Sequence, residues 1–352
     1  MTAVHCPICH RRINWTATQP YRMDENGVFE LLVRDPLESE ESWRDRLITS
    51  YRPCGEAGPL GQHMLPYDYG DYTPVTIGMI GHAKAGKTHL LAAMISRLCS
   101  NDTALAGLGL RVGPLDLAIH QRYVTNYVTP LITHRLRLPQ TRANAVVEFC
   151  DALKVTNAHN QSFAVTFFDL AGERLVQPND DEVRFYASAD ALVFVVDPES
   201  LPSRPGQHVP GDASFDVALR RLDSRPRPAG PSFLPVAAAV VVAKADLVRF
   251  EDATVGDWLA RGSGEEEVAL GTVEHESEDV YTYLTRRGAR QWLRPAQECY
   301  RSTLHFASAT NGPATDNTFR GAFRQCRVLK PLLSVFAMTG ILDDRLLGGG
   351  TT

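Results

Sequence analysis

The stretch of this chain with the most chemical content is GHAKAGKT at residues 81–88, which fits the pattern GxxxxGK[ST]. Its glycines let backbone N–H groups approach a phosphate, Lys87 can reach the phosphate oxygens, and the Thr88 hydroxyl suits Mg²⁺. An apolar run at 75–80 precedes the loop, and a leucine- and alanine-rich run at 89–95 follows it. The loop therefore joins a strand to a helix N-terminus, where the helix dipole favours anions. We predict a phosphate-binding loop; the alternative is a glycine turn of an α/β fold.

A second motif, DLAGE at residues 169–173, follows an apolar and aromatic strand at 163–168. Asp169 at the end of such a strand can bind Mg²⁺ through water, and Gly172 can offer its N–H to a terminal phosphate. Glu173 stands where a side chain would orient attacking water, and a carboxylate there is repelled by a triphosphate. We therefore expect slow hydrolysis, with Glu173 positioning water when a partner supplies a cation. The alternative is that Asp169 only caps the next helix.

A third motif, AKAD at residues 243–246, ends the strongest apolar strand of the chain. A buried Asp246 carboxylate can accept two hydrogen bonds from guanine, whereas adenine offers no such pair of donors. The stem of Lys244 can cover the face of the base. Ser308 and Ala309 follow the last predicted strand, where a backbone N–H can read the guanine carbonyl. The alternative is a surface lysine and aspartate after a strand.

A magnesium-bound triphosphate also needs a hydroxyl from a segment that the third phosphate orders. That threonine must lie between the phosphate loop and Asp169, and the candidates are Thr125, Thr129, Thr133 and Thr141. We choose Thr141, because it directly precedes the predicted hairpin of strands 145–153 and 163–168.

The order of these motifs from residue 73 onward resembles that of Ras-like small GTPases of the translation-factor-related (TRAFAC) class. The chain also resembles a bacterial double-GTPase family of predicted conflict-system components. It shares with them an N-terminal CPxC element, an LPxT segment, DxAGE and a C-terminal segment like RVLKPLL at 327–333. It departs from the class at Glu173, where glutamine is usual, and at Ala243, where asparagine or threonine is usual.

This resemblance implies an α/β P-loop NTPase (Ras-like GTPase) fold, a three-layer sandwich whose sheet is mostly parallel with one antiparallel strand. It implies GTP or GDP with Mg²⁺ as ligands, and a second GTPase as a partner. The nucleotide-binding residues would be Gly81, His82, Ala83, Lys84, Ala85, Gly86, Lys87, Thr88, His89, Lys244, Asp246, Ser308 and Ala309. Catalysis would involve Lys87, Thr141, Gly172 and Glu173, and the Mg²⁺ ligands would be Thr88, Thr141 and Asp169.

The N-terminal CPIC element places two thiols, Cys6 and Cys9, at the spacing of a zinc knuckle. Cys54 is an obvious third ligand, and the fourth could be His63, His5 or His10. A Cys₃His site would supply folding free energy to a segment with little apolar content. The acidic residues between the cysteines favour docking to a protein over binding to nucleic acid. The alternative is a ribbon without metal.

Length and composition limit the number of domains and the classes of partner that the chain could have. The 352 residues suggest roughly two domains. We place a zinc-ribbon-like module and linker at 1–72, a GTPase-like domain at 73–342 with a proline-rich loop at 198–235, and a flexible tail at 343–352. The net charge of −5 gives no reason to expect nucleic acid as a partner. There is no run long enough to span a bilayer and no signal-peptide pattern, so we expect a cytoplasmic protein without disulfides.

Three helices are predicted in the second half of the chain, at 215–222, 279–293 and 319–336, the last bent or broken by Pro331. The function that the sequence favours is a GTP-binding switch with slow hydrolysis, whose output is contact with a protein effector. The alternatives are a nucleotide-binding scaffold without hydrolysis and a P-loop ATPase or kinase. A nucleic-acid-binding zinc ribbon comes last.

Overall fold

The computed structural model describes residues 4–25, 27–55, 63–100, 103–139, 147–170, 180–202, 209–223, 233–261 and 265–347. Its N-terminal elements are β1 (Val4–His5), β2 (Arg12–Ile13), β3 (Tyr21–Met23), β4 (Phe29–Leu31), α1 (Glu40–Ile48), β5 (Tyr51–Pro53) and β6 (Met64–Pro66). β1 and β2 form a small hairpin, and the other four strands form an antiparallel sheet in the order β4-β3-β5-β6.

The rest of the chain alternates strands and helices. The strands are β7 (Thr73–Ile80), β8 (Arg111–Pro114), β9 (Val147–Thr156), β10 (Ser162–Leu170), β11 (Ala191–Val196), β12 (Leu234–Val242) and β13 (Cys299–Phe306). The helices are α2 (Lys87–Leu98), α3 (Thr103–Gly107), α4 (Leu117–Tyr123), α5 (Asp180–Ser188), α6 (Ala213–Asp223), α7 (Ala253–Ala260), α8 (Glu265–Val268), α9 (Val273–Arg286), α10 (Arg294–Glu298) and α11 (Leu329–Met338). None of these described helices combines the length and apolar character that crossing a membrane requires.

Within the described residues, seven of these strands form one sheet in the order β13-β12-β11-β7-β10-β9-β8. β9 runs antiparallel to both of its neighbours, and every other neighbouring pair is parallel. The prediction of a mixed α/β protein with a mostly parallel sheet is confirmed. The antiparallel strand β9 lies inside the sheet, because β8, which the sequence pattern did not reveal, pairs with its outer side.

Alternate residues of the central strands face two separate apolar cores. Val193 and Val195 of β11 belong to one core with α2 and α11, whereas Phe194 and Val196 belong to the other with α6 and α9. A strand covered on both faces needs apolar side chains at every position, which is why these strands are continuous apolar runs. The arrangement is that of a layered α/β fold with helices on both sides of the sheet.

The predicted helix at 319–336 is wrong in its first half. The structure has α11 at Leu329–Met338 only, and residues 319–328 are irregular chain. Pro331 does not break α11, because it lies in the first turn, where backbone N–H groups have no partner within the helix. The helix predicted at 279–293 begins earlier, at Val273, and ends at Arg286, since Gly288 adopts a left-handed conformation with φ 74°.

Between α2 and β9 the sequence pattern predicted no elements, and the structure contains several. Besides α3, β8 and α4, residues 124–133 form a π-helical segment with Pro130 inside it. This segment packs against α2 and buries Leu131. Thr125, Thr129 and Thr133, three of the candidates for the Mg²⁺ hydroxyl, lie in it.

The tyrosine-rich stretch at residues 66–72, which the sequence predicts to be the linker at the end of the N-terminal module, is packed. Residues 67–71 form a 3₁₀ turn in which Tyr69 is 2% exposed, and its ring lies 5.7 Å from that of Trp15. The Tyr69 hydroxyl donates to the backbone oxygen of His5. The stretch therefore holds the N-terminal strands to the rest of the chain.

A buried ionic group connects α9, β13 and the start of α11. Glu276 accepts from His305 Nδ1 at 3.0 Å and pairs with the Arg327 guanidinium at 2.7 Å, and all three side chains are at most 1% exposed. Burial by itself raises the pKa of Glu276, but His305 and Arg327 outweigh it and lower the pKa to about 2. The Glu276 carboxylate also accepts from the backbone N–H of Phe306, the last residue of β13.

We expect Glu276→Ala to lower the free energy of unfolding by about 3–5 kcal/mol, because it leaves the Arg327 charge buried without its partner. Urea denaturation followed by circular dichroism measures this. Glu278→Ala, at a side chain that is 74% exposed on the same helix, is the matched control. Equal unfolding midpoints for the two variants would contradict the assignment of Glu276 as the counter-charge.

Candidate functional site

A cavity of about 650 Å³ lies at the carboxyl edge of the large sheet. Open α/β sheets bind ligands at this edge, where the strands end and the loops begin. Its walls come from residues 83–90 at the start of α2, 243–247 after β12 and 309–314 after β13. The segment 137–139 completes the lining, together with Glu199 and Phe319.

Most of the nucleotide-binding residues predicted from sequence meet in this cavity: Ala83, Lys84, Ala85, Gly86, Lys87, Thr88, His89, Lys244, Asp246 and Ala309. Four other predicted residues adjoin the same segments without being part of the lining: Gly81, His82, Asp169 and Ser308. The remaining three, Thr141, Gly172 and Glu173, lie outside the described residues.

The loop between β7 and α2 is folded tightly enough to require its two glycines. A Cβ on Gly81 would lie 2.7 Å from the backbone oxygen of Val195, and Gly86, which caps α2, has φ 96°. Lys87 Nζ donates to the Gly81 carbonyl at 2.6 Å. The ammonium group is thereby held inside the curve of the loop, at the N-terminus of α2.

Asp212, which the sequence reasoning missed, supports the loop from behind. Its Oδ2 accepts from the backbone N–H of His82 at 2.7 Å, while its Oδ1 accepts from Ser214 at the start of α6. The local signal was available, because an aspartate before a helix is a common N-cap. Its contact with residue 82, however, depends on tertiary packing.

A hydroxyl and a carboxylate meet beside the loop. Thr88 Oγ1 donates to Asp169 Oδ2 at 3.0 Å, and Asp169 is 3% exposed at the end of β10. Glu148 lies opposite Asp169 in the pairing of β9 with β10, and burial together with the Asp169 charge raises the pKa of Glu148. Oxygen ligands of these two kinds suit Mg²⁺, which needs few direct protein contacts.

Asp246 is a buried carboxylate that lines the same cavity, in the segment after β12. It is 7% exposed, and no described residue donates a hydrogen bond to its Oδ1. Burial raises the pKa of Asp246, and a hydrogen bond from Ser308 opposes that rise. A ligand whose donors reached this oxygen would satisfy a buried acceptor that has no partner among the described residues.

Lys244 connects the third motif to the loop at residues 81–88. Its stem passes close to Gly86, where an added Cβ would lie 3.7 Å from Lys244 Cε. Its ammonium group donates to Asp197 at 2.7 Å and contacts Glu199 at 3.3 Å. Asp197 follows β11, and sequence reasoning missed it, although an acidic residue after a buried apolar strand was a visible signal. The stem of Lys244 thus lies against the loop at 81–88, next to Ala243, whose methyl group can form no hydrogen bond to that loop.

Ser308 shapes the turn after β13. Its hydroxyl oxygen accepts from the backbone N–H of Asn311 at 2.8 Å, and its backbone pairs with Cys326. Ser308 is 1% exposed, so its side chain contributes to the turn while Ala309 lines the cavity.

His89 joins the start of α2 to the segment 137–139. Its Nε2 accepts from the backbone N–H of Leu138 at 3.1 Å. Its ring and that of Phe319 are nearly perpendicular, with their centroids 6.0 Å apart. Burial, assisted by the charges of Arg137 and Lys244, lowers the pKa of His89 to about 4. The imidazole is therefore neutral near pH 7 and keeps its acceptor nitrogen.

A second cluster lies in the N-terminal part of the chain. The ligand atoms of Cys6, Cys9, Cys54 and His63 all lie within 4.8 Å of one another, so this group could hold a metal ion such as zinc. His63 Nδ1 is 3.4 Å from Cys6 Sγ and 3.8 Å from Cys54 Sγ. Of the three histidines that the sequence left open, His63 is the one placed with the thiols.

His10 has a different position. Its ring lies 5.2 Å from Phe168 of β10 and 6.3 Å from Phe185 of α5. Phe168 directly precedes Asp169 in β10. The loop that carries Cys6, Cys9 and His10 therefore packs, through His10, against the end of β10 on the cavity side of the sheet. The cluster and the large sheet share one apolar group that includes Cys6, Tyr69 and Ala164.

Comparison with protein-family models gives no match for this chain. Among curated proteins, the chain is similar to one from Mycolicibacterium smegmatis (strain ATCC 700084 / mc(2)155) described as "Putative ESX-1 scaffolding and assembly protein SaeC". The two are 24% identical over 221 residues, which cover 58% of this chain and 55% of the relative. The chain thus spans about half the length of the relative that it matches.

We expect purified protein to carry about one zinc per chain and Cys54→Ser to lose it, because a tetrahedral structural site needs all four ligands. Metal content after dialysis, measured by inductively coupled plasma mass spectrometry, decides this. Cys99→Ser, at a half-buried cysteine outside the cluster, is the matched control. Wild-type protein that stays free of metal after incubation with zinc would contradict the prediction.

Proposed function

We propose that this chain is a guanine-nucleotide-binding switch of the Ras-like P-loop class that binds GTP or GDP with Mg²⁺. The observation that carries the proposal is the single cavity shared by residues 83–90, 243–247 and 309–314. Each of these segments, far apart in sequence, carries groups suited to one part of a nucleotide. The three segments meet at the carboxyl edge of a mostly parallel sheet. This meeting supports a nucleotide site more strongly than any single motif does.

The phosphates would lie over the N-terminus of α2. There the free backbone N–H groups and the helix dipole favour negative charge. Lys87, which donates to the Gly81 carbonyl, would exchange that acceptor for phosphate oxygens. Mg²⁺ would neutralise phosphate charge, held by the Thr88 hydroxyl and, through water, by Asp169.

The base would lie between Lys244 and the turn after β13. The buried acceptor Asp246 Oδ1, which has no partner among the described residues, supports guanine, whose ring nitrogen and exocyclic amine are donors. The stem of Lys244 would cover one face of the base, while its ammonium group stays paired with Asp197. A backbone N–H near Ala309 would read the guanine carbonyl.

The residues that we assign to hydrolysis are inferred from the sequence alone. Thr141 would complete the Mg²⁺ shell, Gly172 would donate to the terminal phosphate, and Glu173 would position water. Because Glu173 is a carboxylate beside a triphosphate, intrinsic hydrolysis would be slow and stimulated by a partner. The output would be contact with a protein effector or with a second GTPase.

A second candidate function is a nucleotide-binding scaffold without hydrolysis. The description of the M. smegmatis relative as a scaffolding and assembly protein favours it. Glu173 and Ala243, the two departures from the usual GTPase pattern, favour it as well. In this alternative the bound nucleotide stabilises the fold, and the N-terminal part with its cysteine–histidine cluster serves protein docking.

We expect calorimetry with Mg²⁺ to show binding of GTP and GDP in preference to ATP, and Asp246→Ala to weaken guanine-nucleotide binding by at least about a hundredfold. The reason is that a buried acceptor discriminates strongly against ligands that do not pair with it. Asp257→Ala, at an exposed carboxylate of α7, should bind as the wild type does. Tighter binding of ATP by the wild type would instead indicate a P-loop ATPase.

We expect slow multiple-turnover phosphate release from GTP that Thr88→Ala abolishes, because the variant lacks the Mg²⁺ hydroxyl. A phosphate-sensor assay with the wild type as reference measures it. Binding of GTP without any phosphate release, in the presence and absence of cell extract, would favour the scaffold over the GTPase.

A further inference from the structure

We propose that Arg137 supplies an intramolecular cation to the terminal phosphate of the bound nucleoside triphosphate. This inference rests on the proposed function and deepens it, since it adds a residue, besides Gly172 and Thr141, by which the site would distinguish a triphosphate from a diphosphate. Sequence reasoning assigned no arginine to this role.

Arg137 lines the same cavity as Lys87 and Thr88. Its side chain is exposed, and no carboxylate of the described residues lies within 4.0 Å of its guanidinium. Of the three lysines in the lining, Lys244 is paired with Asp197 and Lys87 donates to the Gly81 carbonyl, whereas Lys84 is exposed in the loop at 81–88. Among the described residues, Arg137 is therefore a cation of the cavity wall that has no carboxylate partner, and an anionic ligand could pair with it.

The backbone on both sides of Arg137 is fixed. Its own N–H donates to the Asn317 carbonyl at 2.8 Å, and the N–H of Leu138 donates to His89 Nε2 at 3.1 Å. A further backbone bond runs from Phe319 to the carbonyl of Arg135 at 2.8 Å. The segment is thus held between α2 and the chain at 317–319, which presents the arginine at the cavity before any ligand arrives.

His89 holds the segment 137–139 to the start of α2. It directly follows Thr88, so the residue that holds Leu138 adjoins the residue that would hold Mg²⁺. The segment that carries Arg137 is therefore fixed beside the loop at 81–88 by the bond between Leu138 and His89 together with the backbone bonds to 317–319.

The chemistry favours arginine for this task. A guanidinium is always charged, presents its N–H groups in a planar fork and binds two phosphate oxygens at once. The third phosphate adds negative charge at the end of the nucleotide, and an arginine there stabilises that charge in the ground state and in phosphoryl transfer. A diphosphate lacks the group that Arg137 would contact.

The test compares the affinities for a non-hydrolysable GTP analogue and for GDP, both with Mg²⁺, by calorimetry. We expect Arg137→Ala to weaken binding of the triphosphate analogue by at least about tenfold and to leave GDP within about twofold, since it removes a charge-assisted contact to one phosphate. Arg137→Lys should recover part of the loss. Arg122→Ala, at an exposed arginine of α4 away from the cavity, should match the wild type.

An unchanged preference for triphosphate over diphosphate in Arg137→Ala would overturn the inference while leaving the proposed function intact. If the wild type prefers adenine nucleotides, the guanine assignment fails, and the same ratio measured with an ATP analogue and ADP still judges Arg137. A wild type that binds none of these nucleotides would overturn both.

Discussion

The pairing of β7 between β10 and β11 is the interaction on which the rest of the structure depends. It brings the ends of three parallel strands to one line, so that the loop after Ile80, the Asp169 carboxylate and Asp197 emerge side by side. Apolar side chains on both faces of these strands fix their register, because a slip by one residue would exchange the two cores. The cavity is the direct consequence of that alignment.

The cavity wall formed by residues 309–314 depends on the buried ion pair of Glu276 and Arg327. Glu276 of α9 holds the end of β13 through Phe306 and holds Arg327 through an ion pair. Arg327 has a left-handed backbone, with φ 57°, and follows Cys326, which pairs with Ser308. The turn that would face the base is therefore positioned by a polar network whose members come from three elements.

The N-terminal part is connected to the same edge by aromatic contacts. His10 reaches Phe168 and Phe185, and the cysteine–histidine cluster lies in the apolar group that Tyr69 shares with the sheet. A metal ion there would fix a short, loop-rich segment that has few apolar side chains of its own. The end of β10, next to Asp169, is thus held by its neighbours in the sheet and by His10 of the N-terminal part.

The sequence by itself determined the features that arise from local chain properties. Continuous apolar runs marked the central strands, and the glycine spacing marked the loop at 81–88, because both depend on neighbouring residues only. Tertiary structure alone decided which histidine joins the thiols, that β8 covers β9, and that Arg137 meets the cavity. Those outcomes depend on contacts between distant segments, such as His89 with Leu138, which no local pattern specifies. The helix predicted at 319–336 failed for the same reason, since pairing of Cys326 with Ser308 holds residues before α11 in irregular chain.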